Sequence, residues 1–354
     1  MAGAPQEIWQ LVDSSGIGGI ETHMRVLTQA LIQSGYRARI LLLAPHGANP
    51  WLGQLRAEDV PFEILDGRFS TLVRRLRTDR PAILHTHGYK AGILGRLAAR
   101  LSGTACVSTF HAGERGRFPV SFYQWVDRLT SRLATRIAVS RPIAADLPQP
   151  THVVGNFMSV PATEPAPPAA RSVGFVGRFS PEKGPDVFCD IARICPADIA
   201  FEMFGDGPMR PTLERSFADR VRFHGLVSDP GAIWPQVGLL LMPSRAEGLP
   251  LAAIEAMAAG VPVAASRVGA LDELIRPGEN GWLFEAGDTA SAAAAVTAWF
   301  TASSEDIANW SQAAWWTARD RFGTERILPE ILALYRSASH GAVTACDSMS
   351  GDAP

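Results

Sequence analysis

Lysine is nearly absent. The 354 residues hold 33 Lys and Arg together, and only two of these, Lys90 and Lys183, are lysines. In such a composition each lysine position draws notice. Cysteine is also scarce: Cys106, Cys189, Cys195 and Cys346 show no metal-ligand or redox spacing and read as core or tail thiols of a reducing compartment. No D-x-D pair occurs anywhere, which disfavours a carboxylate-held metal bridging a diphosphate. No run approaches the roughly 20 apolar residues of a membrane span. The start, MAGAPQEIWQLVDSSG, lacks a positive n-region and a long apolar core, so no secretory signal is expected. The arginines come without a recognition motif for nucleic acid, and no nucleic-acid partner is expected.

What is present suits a globular chain of two ordinary domains: 47% of residues are apolar. Short apolar strands alternate with helical patterns. They are expected near 7–12, 38–43, 61–65, 82–85, 105–109, 135–139 and 151–154, then near 172–176, 199–204, 221–224, 238–242, 262–265 and 281–284. Such alternation predicts parallel sheets with helices on both faces, and ligands at the carboxyl ends of the strands. Residues 157–170, FMSVPATEPAPPAA, hold four prolines and read as a linker between two such units. The C-terminal part reads as helices over 290–300, 305–321 and 324–338, with Trp299, Trp310, Trp315 and Trp316 as apolar packing anchors.

Two segments carry chemistry. In GFVGRFSPEKG, residues 174–184, a buried strand closes on Gly177. Arg178 and Lys183 follow on the loop, and Gly184-Pro185 leads into a helix. Two cations beside a helix N-terminus form an anion site, most naturally for a diphosphate. As loop cations, neither is expected to support the core. In SRAEGLPLAAIEAMAAGVPV, residues 244–263, Glu247 and Glu255 stand eight positions apart, with Gly248, Leu249 and Pro250 between them. Pro250 suits the first helical turn. Glu247 then sits on the loop before the helix and Glu255 on its second turn. A loop carboxylate beside a helix N-terminus can face one ligand, accepting from sugar hydroxyls.

The first half has weaker signals of its own. SSGIGGIETHM, residues 14–24, follows the first strand and opens a helix; Gly18 and Gly19 let the backbone approach a bound group closely. Glu21 follows in the first turn, where it also favours the macrodipole. HTHG (85–88) and STFHAGERG (108–116) each close a strand with histidine. Three histidines at the ends of adjacent strands point to a site, with His85 read as packed in its strand end.

Together these segments resemble the retaining nucleotide-sugar glycosyltransferases of family 4 (glycosyl transferases group 1), which have the GT-B fold. Gly177, Arg178, Lys183 and Gly184 fit the G-R-x4-K-G donor loop, and Glu247 and Glu255 fit the E-x7-E signature. FGDGPMR (204–210) and VRFHGLV (221–227) fit the connecting pieces in order, and the likeness runs from about residue 8 to about 335. The resemblance implies an α/β chain of two Rossmann-like doubly wound domains facing each other across a cleft. It places an acceptor-side domain over 1–160 and a donor-binding domain over 161–322. A C-terminal helix over 323–338 would cross back to the first domain, and a disordered tail would occupy 339–354. It also implies a catalytic set of His111, Glu247, Arg178 and Lys183, with His111 near the transferred sugar. Donor binding would fall to Gly18, Gly19, Arg178, Lys183, Gly248, Leu249, Pro250 and Glu255. Glu255 would take the ribose hydroxyls and Glu247 the donor-sugar hydroxyls. Glu21, His87, Ser140 and Asn156 are acceptor or cleft positions. No metal and no cofactor are expected; the donor is a nucleoside diphosphate sugar.

Charge is uneven. Residues 1–160 hold 18 Lys and Arg against 11 Asp and Glu, a net of +7, while 161–354 hold 15 against 24, a net of −9. The clusters at 68–80 and 128–136 supply much of the positive side. They suit an anionic acceptor or an anionic membrane surface, or are solvated helix faces. The expected protein is a metal-independent, cytoplasmic hexosyltransferase, peripheral at the inner face of a membrane. It would act on a saccharide or lipid-linked acceptor in cell-envelope polysaccharide or glycolipid synthesis. The alternatives are another GT-B enzyme, a sugar-nucleotide epimerase or phosphorylase, or a catalytically silent sugar-nucleotide-binding subunit.

Overall fold

The computed structural model describes residues 7–111, 120–227 and 230–347. The end of the loop after His111 (AGERG) and the last seven residues of the expected tail lie outside them. The chain divides into two compact α/β units, one of Met1–Phe157 with Thr324–Pro354, the other of Met158–Gly323.

The first unit runs β1 (Glu7–Val12), α1 (Gly19–Gln33), β2 (Arg37–Leu42), α2 (Pro50–Ala57), β3 (Phe62–Ile64), α3 (Phe69–Asp79) and β4 (Ile83–His87). It continues with α4 (Tyr89–Ser102), β5 (Cys106–Phe110), α5 (Val120–Thr130), β6 (Thr135–Ala138), α6 (Arg141–Ala145) and β7 (His152–Val153). The second unit has β8 (Ser172–Val176), α7 (Pro185–Ile194), β9 (Ala200–Phe204), α8 (Arg210–Phe217), β10 (Arg222–Gly225) and β11 (Leu239–Met242). After these come α9 (Leu251–Ala258), β12 (Val263–Ser266), α10 (Leu271–Leu274), β13 (Gly281–Phe284), α11 (Thr289–Phe300) and α12 (Ser304–Phe322). The last helix, α13 (Thr324–Asp347), returns to the first unit, where Ile327, Leu328, Ile331 and Tyr335 join a core with Ile8, Leu27, Val107 and Phe157. All thirteen expected strands are present, their ends displaced by at most two residues.

Both sheets are wholly parallel and wound alike. Their orders are β3-β2-β1-β4-β5-β6-β7 and β10-β9-β8-β11-β12-β13. Each chain segment builds outward from its first strand, then crosses back to pair on that strand's other edge. The reversal falls between β1 and β4, and again between β8 and β11. At such a reversal the loops leaving the two carboxyl ends part to opposite faces and open a crevice for a ligand. Helices cover both faces, so the central strands are buried throughout rather than alternating: β4, β5 and β11 are buried at every position.

Three expectations are corrected. The proline-rich 157–170 segment is not a free linker: α12 pins it. Trp315 donates to the Pro161 carbonyl (3.1 Å), Arg319 to that of Ala162 (2.8 Å), and Gln312 to the Glu164 carboxylate (2.8 Å). Prolines lack N–H groups but keep carbonyls, and these accept from the helix. The tail expected to be disordered from 339 is helical to Asp347, in a stretch whose alanines sustain a helix. Among the four tryptophans, Trp299 and Trp315 are buried and Trp310 packs on the core, but Trp316 is exposed.

Candidate functional site

In the second unit the chemistry gathers at the reversal between β8 and β11. The loop after β8 carries Arg178 and Lys183; the loop after β11 carries Ser244 and Glu247. Sixty-four residues apart in sequence, Lys183 and Glu247 meet: Nζ donates to both carboxylate oxygens, at 2.9 and 2.7 Å. Ser244 Oγ donates to Glu247 Oε1 at 2.8 Å. The Glu247 side chain is 4% exposed and that of Lys183 31%. The two loops are tied by backbone as well. Arg245 N–H donates to the Glu182 carbonyl at 2.8 Å, and its guanidinium grips Asp186 (2.9 and 2.6 Å) and the Pro181 carbonyl (2.8 Å).

Glycine makes this closeness feasible. Gly184 has φ +66, and a Cβ there would stand 2.2 Å from the Pro243 carbonyl oxygen. Gly184 also caps α7, so Lys183 is presented at a helix N-terminus. Arg178 is exposed, and among the described residues it adds its charge to that of Lys183 in holding the Glu182 carboxyl low, after the larger effect of the Ser180 hydrogen bond. Gly248 is exposed; Leu249 and Pro250 are buried. Pro250 is the residue before α9, one position earlier than expected, and Glu255 is on the second turn, half-buried. The structure therefore brings Lys183 and Glu247 together. The expectation that Lys183, as a loop cation, lends the fold no support is corrected, because a nearly buried carboxylate holds it.

The first unit assembles a second group at its own reversal. Gly18 precedes α1, Gly19 begins it, and Glu21 lies in its first turn; a Cβ on Gly18 would stand 3.0 Å from Glu21 Oε2. His87 ends β4 and His111 follows β5, with His87 Nδ1 3.0 Å from His111 Nε2. His23, on the buried face of α1, completes a trio in which one ring nitrogen from each lies within 4.8 Å of the others, a set able to hold a metal ion. His85 is packed as expected, between Tyr335 OH and Thr109 Oγ1, each at 2.7 Å. Burial pushes the His23 imidazole down to about 4, against a smaller opposing pull from Asn156. It also drives His85, His87 and His111 well below the ordinary range, and neighbouring imidazoles add to the effect. All four rings are neutral near pH 7 and can donate or accept by tautomer. Asn156 and Ser140 are both buried in this unit, Ser140 as the residue before α6.

A cavity of about 420 Å³ opens beside this group, lined by Asp13, His87, Gly88, Tyr89, Lys90, Ala91 and Tyr123. Lys90 pairs with Asp13 at 2.9 Å. Beneath lies a buried ion pair, Arg96–Asp127 (2.5 Å), whose arginine also reaches Ser108 and Thr130.

Sequence reasoning passed over His23, Ser244 and Arg245. His23 was findable: it occupies an apolar-face position of α1, among Ile20, Met24 and Leu27, where an imidazole is out of place. Ser244 and Arg245 gave no such signal: a serine three residues before a glutamate is commonplace, and the partners of Arg245 lie some sixty residues away.

Comparisons with known proteins follow the same division. Residues 17–158 match the family model described as Glycosyltransferase Family 4, and residues 170–301 that described as Glycosyl transferases group 1. The phosphatidyl-myo-inositol mannosyltransferase of Mycobacterium leprae is 28% identical over 314 residues, covering 79% of this chain and 83% of that protein. The UDP-Gal:alpha-D-GlcNAc-diphosphoundecaprenol alpha-1,3-galactosyltransferase of Escherichia coli is 26% identical, covering 62% of this chain and 66% of its own. Among solved structures, Anabaena HepE in complex with UDP superposes with a TM-score of 0.79 at 21% identity, covering 94% of this chain and all of that one.

Proposed function

The chain belongs to glycosyltransferase family 4, with the GT-B fold of two parallel-sheet α/β domains, and on that premise we propose that it moves a sugar from a nucleoside diphosphate sugar to a saccharide or lipid-linked acceptor with retention at the anomeric carbon. The observation that carries this reading is the Lys183–Glu247–Ser244 cluster, held at the reversal of the second sheet by two mutually bonded loops.

The chemistry follows from charge. As the glycosidic bond breaks, negative charge grows on the departing diphosphate. Lys183 and Arg178, with the N-terminus of α7, stabilise it as it forms. In the unliganded chain Glu247 holds the lysine in place and keeps it compensated. With donor bound, Glu247 accepts from sugar hydroxyls and Glu255 from the ribose. The family resemblance also carries Gly18 and Gly19 over as donor-binding positions and His111 as the residue of the transferred sugar. Glu21, His87, Ser140 and Asn156 remain acceptor-side positions. The donor site offers the side-chain cations Lys183 and Arg178 to the diphosphate, and no D-x-D pair is present to hold a bridging metal, so the reading calls for no divalent ion. The acceptor oxygen gives its proton to the leaving phosphate.

Two relatives named for a phosphatidylinositol and a diphosphoundecaprenol acceptor support a lipid-linked acceptor and a role in cell-envelope glycan or glycolipid synthesis. No helix among the described residues is long and apolar enough to cross a membrane. The relatives named for lipid-linked acceptors support our placing the enzyme in the cytoplasm against the inner face of the membrane. The deciding experiment presents a panel of nucleotide sugars with and without candidate lipid-linked acceptors. Acceptor-dependent nucleoside diphosphate release, with the product's anomeric configuration unchanged by NMR, is expected. Release of nucleotide that no acceptor accelerates overturns the reading, as does an inverted product.

A further inference from the structure

We propose that α5 and the turn after it form a docking surface for an anionic phospholipid bilayer. Of the fourteen large apolar side chains left exposed among the described residues, five fall between 122 and 133. Phe122, Tyr123, Trp125, Leu129 and Leu133 are 41 to 61% exposed, whereas the other nine are scattered through the chain. Phe122, Trp125 and Leu129 follow at intervals of three and four residues, which places them along one stripe of α5, and Leu133 lies in the tight turn after it. The direction of that stripe is set from inside. Asp127, on the opposite side of α5, is buried against Arg96 of α4 at 2.5 Å, so the aromatic ridge is turned outward.

The composition selects the occupant. Trp and Tyr carry an apolar ring with a polar edge, which suits the headgroup layer better than either water or a dry protein core. Arg128 and Arg132 flank the ridge and are exposed. From 122 to 133 the single acidic side chain is the buried Asp127; the exposed Asp146 stands 3.8 Å from Arg128, and with Arg132 the balance beside the ridge stays positive. Tyr123 both belongs to the exposed set and lines the cavity that contains His87, Tyr89 and Lys90. A bilayer seated on the ridge would deliver a lipid headgroup to that cavity. The arginines of α3 are poorer candidates: Arg75 is taken up by Glu63 and Asp79, and Arg77 donates to the Leu101 carbonyl at 3.0 Å. The proposal draws its purpose from the lipid-linked acceptor reading above, but vesicle binding needs neither donor nor acceptor.

The test is co-sedimentation of the full chain with vesicles of phosphatidylcholine alone and of phosphatidylcholine with phosphatidylglycerol, at low and high salt. Wild type should bind the anionic vesicles about tenfold or more better, and salt should weaken this. The variant carrying Phe122→Ser, Trp125→Ser and Leu129→Ser should lose binding at every salt concentration. Arg128→Gln with Arg132→Gln, which touches only exposed charges, should lose the anionic preference and its salt dependence. Thermal unfolding like wild type checks that each variant folds. Equal binding by wild type and both variants overturns the proposal, as does failure of wild type to bind. A wild-type dimer that the apolar variant converts to monomer would give the ridge to a second copy instead, and also overturns it. If vesicles bind but no nucleotide sugar is turned over with a soluble acceptor, the transferase reading fails while this surface stands.

Discussion

Replacing Lys183 by alanine should cost the fold as well as the reaction. Glu247 is 4% exposed, and its partners among the described residues are Lys183 and Ser244. Lys183→Ala leaves that carboxylate with one hydroxyl donor in a site water barely reaches. Stripping one partner from a fully buried pair costs about 3–5 kcal/mol. Lys183 is 31% exposed, so solvent already screens part of the attraction, and about 1–3 kcal/mol is the appropriate range. For a domain of this size that lowers the melting temperature by roughly 2–12 °C. Glu247→Gln should cost less, because the lysine it abandons can turn to water and the amide can still meet Ser244. The double variant, Lys183→Ala with Glu247→Gln, should be more stable than Lys183→Ala alone, since no unpaired charge remains. Activity orders the variants differently: both single changes should lower kcat/KM about ten- to 150-fold, the loss of one charge-assisted contact in the transition state. Urea or thermal unfolding of the four proteins, beside turnover with the true donor, separates the effects. Unfolding of Lys183→Ala indistinguishable from wild type would refute the argument, as would a double variant no more stable than that single one.

Other outcomes follow from the same geometry. Gly184→Ala should destabilise by about 1–2 kcal/mol from the left-handed backbone alone, with the overlap on the Pro243 carbonyl adding to it; an unchanged unfolding midpoint would contradict this. Stability should fall on acidification. The buried histidines bind fewer protons folded than unfolded, so their contribution is complete above about pH 6.5 and is lost as pH drops toward 4. For His23, lowered from 6.5 to about 4, this amounts to about 3 kcal/mol at pH 4. A melting temperature flat from pH 7.5 to 5 would show these rings to be solvated. Activity should survive EDTA, because the cations of the donor site are side chains; complete loss restored by magnesium or manganese would require a metal on the diphosphate.

Much of this protein is written locally. Parallel strands covered on both faces are short and mostly apolar, and helices between them must carry a 3.6-residue stripe, so each of the thirteen strands left a mark in its own few residues. The donor motifs were legible for a related reason. A loop that must bring backbone and side chain to a phosphate needs glycine where a Cβ would collide, as at Gly184, and a cation beside it. The paired glutamates of 247 and 255 were legible as a spacing across a helix start.

The state of those residues was not. That Lys183 is held by Glu247, that Arg245 laces two loops together, and that His23 joins His87 and His111 are facts of juxtaposition between segments tens of residues apart. Hydropathy marks His23 as misplaced on an apolar face but names none of these partners, because each end reads alone as a single polar residue. The prolines of 157–170 misled for the complementary reason: their composition reports what the backbone cannot donate, not that its carbonyls would find α12. The arginines of α3 and the aromatics of α5 differ likewise. Composition marks both as surface, and only packing decided that Arg75 is spent on Glu63 while Trp125 is left outside, since Asp127 turns toward Arg96 and rotates the apolar stripe away from the core.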